Sequence, residues 1–179
     1  MESIPESPSP ILAVDDDAGL LMSIKATLVS AGMPEPALVS DSRRVMGLLR
    51  RQTCSLVLLD LNMPHIDGMT LLENIKSEFP DIECIVVTAI DDAPTAVAAM
   101  RYGAYDYLVK PLNAEKLIIV TSRALERRNL RTELDLYRRK PSFSDLQHPA
   151  AFDDLIAEDE AMALVFRQVE VVAPTDYNV

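Results

Sequence analysis

The chain has 179 residues, 49% hydrophobic and 25% charged, with a formal net charge of −11. That length accommodates one compact domain plus an appendage, or two small domains, and roughly 120 residues bury a core without staples. The acidic balance excludes a general basic surface for nucleic acid, and two cysteines are too few for a disulfide framework.

Residues 1–9, MESIPESPS, are polar and proline-rich and are expected to form a disordered lead-in. After Pro10, ILAV is a short apolar run that stops at Asp15, Asp16 and Asp17, the pattern of a buried strand ending at a sheet edge. AGLLMSIKATLVSAG has helical spacing at Leu20, Leu21, Ile24, Leu28 and Val29, with Gly32 placed to stop it. Met33-Pro34-Glu35-Pro36 then makes a stiff loop. ALVS is a weak strand, and DSRRVMGLLRRQ is predicted to be a helix capped by Asp41 or Ser42.

SLVLLD is a strongly apolar strand ending in Asp60, and the loop LNMPHIDG leads to a helix over GMTLLENIKSEF, ended by Pro80. CIVVT is a further strand ending in Thr88; APTAVAAMRYGA is a small-residue helix with Gly103 near its end. DYLVKP is a short strand closed by Lys110 and Pro111, and a long helix follows from about Asn113. Cys54 and Cys84 lie in apolar runs and read as small core residues. No basic start precedes an apolar leader, and no apolar run approaches the roughly 20 residues of a membrane span. A cytoplasmic protein with no membrane contact is expected.

Five nearly continuous apolar strands alternating with helices predict a doubly wound α/β fold, its parallel sheet covered on both faces. In that architecture the site lies at the carboxyl ends of the strands, where the strand order reverses. Asp15, Asp16, Asp60, Thr88 and Lys110 all fall at such ends. Each alone has a plainer reading: Asp15, Asp16 and Asp17 as helix caps, Asp60 as a turn residue, Thr88 as a backbone-bonded hydroxyl, Lys110 as a solvated cation. Their joint placement favours a shared crevice. Converging carboxylates repel one another unless a cation neutralises them, and oxygen-only ligands suit Mg²⁺. Asp60 then reads as a nucleophile that attacks phosphorus to form an acyl phosphate, with Lys110 sharing the charge and Thr88 hydrogen-bonding an oxygen.

Taken together, ILAVDDDAGLL, LVLLDLNMPHIDGMTLL, IVVTA and GAYDYLVKPL resemble the receiver domain of bacterial two-component response regulators, over roughly residues 10–125. The resemblance implies a flavodoxin-like five-stranded sheet of order 2-1-3-4-5. It implies Asp60 as phosphoacceptor, Asp16 as a direct Mg²⁺ ligand, Asp15 as a ligand through water, and the backbone carbonyl of Asn62 completing the metal shell. Lys110 would contact the phosphoryl group and precede a cis bond to Pro111. Thr88 would be the switch hydroxyl, and Tyr107 the aromatic that follows it. Met63, Pro64 and Gly68 would shape the loop, Gly68 by adopting a backbone angle other residues resist. His65 reads as an exposed loop residue.

The last helix is expected to run past the receiver, through TSRALERRNLRTELDLYRRK to Pro141, so that residues 113–140 form a long helical extension. Leu125, Leu130, Leu134 and Tyr137 offer a partial apolar seam for a homodimer, with a solitary amphipathic helix as the alternative. Residues 141–151 read as a flexible linker in which His148 is incidental. Residues 152–179 resemble the opening of the AAA+ ATPase domain of NtrC-type, sigma-54-dependent transcription activators. No G-x-x-x-x-G-K-[ST] occurs in the sequence, so the chain is not expected to hydrolyse ATP itself.

The expectation is a phosphorylation-dependent receiver, not an enzyme, cut at or near the start of its ATPase. A sensor histidine kinase would be its donor, and the AAA+ domain and sigma-54 RNA polymerase its downstream partners, with no direct nucleic-acid binding by this segment. A stand-alone receiver acting as a phosphorelay shuttle or sink is the alternative, and a phosphorylation-independent interaction module a third reading. A dehalogenase-like phosphatase would need an early D-x-D-x-[TV], which VDDDAGL does not supply.

Overall fold

A computed structural model describes residues 9–138, with side chains as far as Leu134. The lead-in 1–8, the Tyr137 side chain, the linker 141–151 and the segment 152–179 lie outside the described residues. Residues 1–130 form one compact unit, and of the second, beginning at Arg131, only the end of one helix is described.

The described residues hold five strands: β1 (Ile11–Val14), β2 (Ala37–Val39), β3 (Leu56–Leu59), β4 (Glu83–Thr88) and β5 (Asp106–Val109). All neighbours pair in parallel, in the order β2-β1-β3-β4-β5, as the resemblance implied. Helices α1 (Ala18–Ser30), α2 (Val45–Leu49), α3 (Gly68–Glu78), α4 (Ala93–Arg101) and α5 (Ala114–Arg138) connect or follow them. The strands alternate faces. Leu12, Val14, Val57 and Leu59 pack with Leu72 and Ile75 of α3 on one side. Ile11, Ala13, Leu56 and Leu58 pack with Ile24 and Leu28 of α1 and Leu117 of α5 on the other. Both faces are covered, which is why these strands read as unbroken apolar runs. Each fully buried Leu or Ile contributes roughly 1.5–3 kcal/mol relative to exposure.

The helix starts are set by capping aspartates. Asp17 accepts from the Gly19 and Leu20 N–H groups, Asp67 from Thr70, and Asp92 from Thr95. Asn113 does the same for Lys116 at the start of α5. Gly32, at φ 75°, follows the end of α1 in the left-handed region that glycine enters without a Cβ penalty.

Several expectations are corrected. The helix predicted over residues 41–52 is a three-residue 3₁₀ turn, Ser42–Arg44, followed by a five-residue α2. Gly47, a weak helix former, sits at its centre, and the cap falls to Asp41, which accepts from the Arg43 N–H at 3.0 Å. Ser9, assigned to the lead-in, is buried, and its hydroxyl donates to the Glu35 carbonyl at 2.6 Å. Leu125, assigned to the dimer seam, packs against the domain core beside α1 and β5. Leu130 and Leu134 of α5 are exposed. In α1, Leu21, Ile24 and Leu28 are buried, whereas Val29 faces solvent. Among the described residues no helix is long and apolar enough to cross a membrane.

Both thiols are buried, and desolvation pushes Cys54 up to about 11 and Cys84 up to about 12. Thiolate is the reactive form, so the native protein is expected to resist iodoacetamide at pH 8 and to take up two equivalents in denaturant. Mass spectrometry of the alkylated protein checks this.

Candidate functional site

The register of the sheet builds the site. Val14 of β1 is opposite Leu59 of β3, so Asp15 and Asp60 leave the sheet side by side. The ladder continues one step past each strand: Asp60 N–H donates to the Val14 carbonyl at 2.9 Å, Asp15 N–H to the Val39 carbonyl at 3.2 Å, and Lys110 N–H to the Thr88 carbonyl at 2.8 Å. These bonds fix the backbones of the residues whose side chains meet. Among the described residues, Asp15, Asp16 and Asp60 each offer a carboxylate oxygen within 4.8 Å of the others. Lys110 Nζ reaches Asp15 Oδ2 at 2.7 Å and Asp60 Oδ2 at 3.2 Å.

Asp17 alone of the three consecutive aspartates caps α1; Asp15 Oδ1 instead accepts from the Asp17 N–H at 2.9 Å. Asp16 is exposed and turned over to the acidic group. Asp60 is no helix cap either, because Asp67 serves α3. Asp60 Oδ1 is buried without a hydrogen-bond partner. A buried carboxylate oxygen left bare is costly unless something cationic completes it.

One ammonium does not balance three carboxylates. Burial raises the Asp15 carboxyl above its ordinary value, against the opposing pull of Lys110, and the charge of Asp60 adds to the rise. Burial alone would lower Lys110, but its hydrogen bond and charge pairing with Asp15, then with Asp60, leave it above the ordinary lysine value. The donor set is oxygen only, closely spaced and partly bare, so the residues fit a hard divalent cation.

Thr88 and Tyr107 flank this group and are linked through the main chain of Ile90. The Ile90 N–H donates to Thr88 Oγ1 at 3.3 Å, and the Tyr107 hydroxyl donates to the Ile90 carbonyl at 2.6 Å. Thr88 is fully buried, while Tyr107 is half-buried against the core. Sequence reasoning missed Ile90, because a backbone relay leaves no side-chain signature. Asn62 is exposed in the loop after Asp60, and the Lys110–Pro111 bond is cis.

Gly68 is needed for a different reason from the one expected. A Cβ there would lie 2.1 Å from the Asp60 carbonyl oxygen and 2.5 Å from Leu61 Cα. The first turn of α3 thus presses on the backbone of Asp60 itself, and Gly68 N–H donates to the Leu61 carbonyl at 3.0 Å. The residue with a positive φ in this loop is His65, at 74° and exposed.

A parallel doubly wound sheet with clustered carboxylates at its carboxyl edge, faced by a lysine, defines a receiver-type regulatory domain. The chain belongs to the response regulator receiver domain family, which matches residues 11–122. It is 32% identical to the transcriptional regulatory protein ZraR of Klebsiella oxytoca, over 94% of this chain and 36% of that protein. It is also 32% identical to the alginate biosynthesis transcriptional regulatory protein AlgB of Pseudomonas aeruginosa, over 100% of this chain and 38% of that one. Among solved structures, NtrX from Brucella abortus in complex with ATP matches with a TM-score of 0.67 and 29% identity, over 94% of this chain and 35% of that one. The chain therefore spans little more than a third of the length of the curated relatives it matches.

Two outcomes are expected. Gly68→Ala must displace the Asp60 backbone, costing about 2–4 kcal/mol by urea unfolding. Asp15, with its folded-state pKa raised, favours folding most when protonated, and that contribution is lost as pH rises through the raised value. In chelator, Asp15→Asn is therefore expected to raise the thermal midpoint at pH 7, the gain shrinking toward pH 4.

Proposed function

We propose that the domain accepts a phosphoryl group on Asp60 from a sensor histidine kinase. The observation that carries this reading is the buried, half-bare Asp60 carboxylate, which lies beside Asp15 with Lys110 bridging the two at the carboxyl edge of the sheet. Its oxygen would attack phosphorus in line, forming an O–P bond as the donor's N–P bond breaks. The electron pair would leave with the imidazole, which takes a proton from solvent. No general base is needed, because an ionised carboxylate is already the nucleophile. Lys110 would move its pairing from Asp60 Oδ2 toward an incoming phosphoryl oxygen, a charge-assisted bond. Mg²⁺, held by Asp16, Asp60, the Asn62 carbonyl and, through water, Asp15, would supply charge neutralisation at the phosphoryl oxygens.

The same reading makes Thr88 and Tyr107 the switch. A phosphoryl oxygen would accept from the Thr88 hydroxyl, and moving that hydroxyl toward it would stretch the bond that Oγ1 accepts from the Ile90 N–H. Tyr107, bonded to the other end of the same residue, would respond. The segment before α4 would shift, altering a face where Val97, Met100, Tyr102 and Ile119 are exposed. Only a difference in phosphoryl interactions between the two arrangements can drive such a shift.

We further propose that the receiver is the regulatory part of a sigma-54-dependent activator. In that setting α5 would carry the signal into a homodimer through Leu130 and Leu134, and thence to an AAA+ domain and sigma-54 RNA polymerase in the cytoplasm. The match along nearly the whole chain to transcriptional regulatory proteins supports it. A stand-alone shuttle or sink is the second reading.

Intact-mass spectrometry after incubation with acetyl phosphate tests the chemistry. Wild type is expected to gain about 80 Da only with Mg²⁺ present, and Asp60→Asn to gain nothing. Equal labelling of both proteins would reject Asp60 as the acceptor.

A further inference from the structure

The loop between Asp60 and α3 contains a tight turn that the phosphoacceptor chemistry does not itself explain. The Ile66 N–H donates to the Pro64 carbonyl at 3.0 Å across His65, whose φ is 74°. This is a γ-turn of the positive-φ kind, rare and strained in a residue with a side chain. Something outside the turn must hold it.

Ser42 is placed to do so. It opens the 3₁₀ turn after β2 and is 1% exposed. Its hydroxyl donates to the Pro64 carbonyl at 2.9 Å and accepts from the Ile66 N–H at 3.1 Å. Both polar groups that close the γ-turn are thus bound a second time, by one side chain 22 and 24 residues away in sequence. Ser42 is itself fixed from behind. Asp41 caps its turn, and the end of β2 is tied to β1 by the bond from Asp15 N–H to the Val39 carbonyl. The hydroxyl therefore references the loop to the same sheet edge that carries Asp15 and Asp60.

We propose that Ser42 is a positioning residue for phosphoryl transfer: by bracing the His65 γ-turn it holds the loop that carries Asn62 away from Asp60 at the spacing the cation and the phosphoryl group require. Asn62 lies two residues before Pro64, so relaxation of the turn reaches its carbonyl through Met63 alone. The inference rests on the receiver reading given above. It assigns Ser42 no contact with the phosphoryl group.

The test compares wild type, Ser42→Ala, Ser42→Cys and Ser42→Ala/His65→Gly in initial rate of phosphorylation by acetyl phosphate across a Mg²⁺ series. Ser42→Cys keeps the volume and loses the strong bonds, so it separates packing from hydrogen bonding. Both single variants are expected to slow labelling roughly three- to tenfold and to need a similarly higher Mg²⁺ concentration for half-maximal rate. His65→Gly added to Ser42→Ala is expected to recover most of the loss, because glycine holds a positive φ without a brace. Wild-type rates and Mg²⁺ dependence in both single variants would overturn the proposal. So would a loss that His65→Gly leaves untouched, or insolubility of both single variants, either of which would assign Ser42 to folding alone. If wild type itself takes up no phosphoryl group, the phosphoacceptor reading fails and this inference falls with it.

Discussion

Everything at the carboxyl edge of this sheet depends on one electrostatic constraint. Parallel pairing delivers Asp15 and Asp60 side by side, and the turn after β1 adds Asp16, while Lys110 alone of these site residues brings positive charge to them. The backbone has no freedom to relieve this. The backbones of Asp15 and Asp60 are each fixed by a ladder bond one residue past the strand, and the strands below are fully buried. The fold therefore stores a demand for positive charge at a defined place. Burial of Asp15, which raises its proton affinity, is the local expression of that demand.

The surroundings are built to keep the demand in place. Gly68 lets α3 start hard against the Asp60 carbonyl, and Met63 packs into the core on the way there. Lys76 of α3 donates to the Pro80 and Ile82 carbonyls, tying the far end of that helix to the start of β4. On the other side of the site, Thr88, Ile90 and Tyr107 form a hydrogen-bonded series from the buried edge to the half-buried surface. At the opposite end of β4 the buried Glu83 faces Arg127 of α5 at 3.5 Å, and Arg127 lies over the Tyr105 ring at 5.3 Å. Rearrangement near Thr88 would thus occur in a strand whose other end is anchored to α5.

Much of this was legible in the sequence because it is local. ILAV and LVLL are wholly apolar, as strands covered on both faces must be, and each ends in an aspartate. Asp17 reads as a cap because it sits immediately before a helical pattern. What was not legible depends on contacts distant in sequence. Ser42 looked like a cap, but its hydroxyl goes to a loop 22 residues away. Gly68 looked like a conformational glycine, whereas its lack of a Cβ matters for the approach of α3 to Asp60. Leu125 had the spacing of an exposed seam but packs on the core, since helix periodicity does not say where a domain stops covering its last helix.

If the clustered carboxylates form a cation site, Asp16 is the residue whose replacement reports it most cleanly. Asp16 is exposed and caps no helix, so its replacement should leave the fold intact. Thermal unfolding of wild type and Asp16→Asn would be followed at pH 7 over a series of Mg²⁺ concentrations. The wild-type midpoint is expected to climb with the logarithm of Mg²⁺ concentration, while that of the variant stays nearly flat. A flat response in wild type, or the same climb in both proteins, would contradict it.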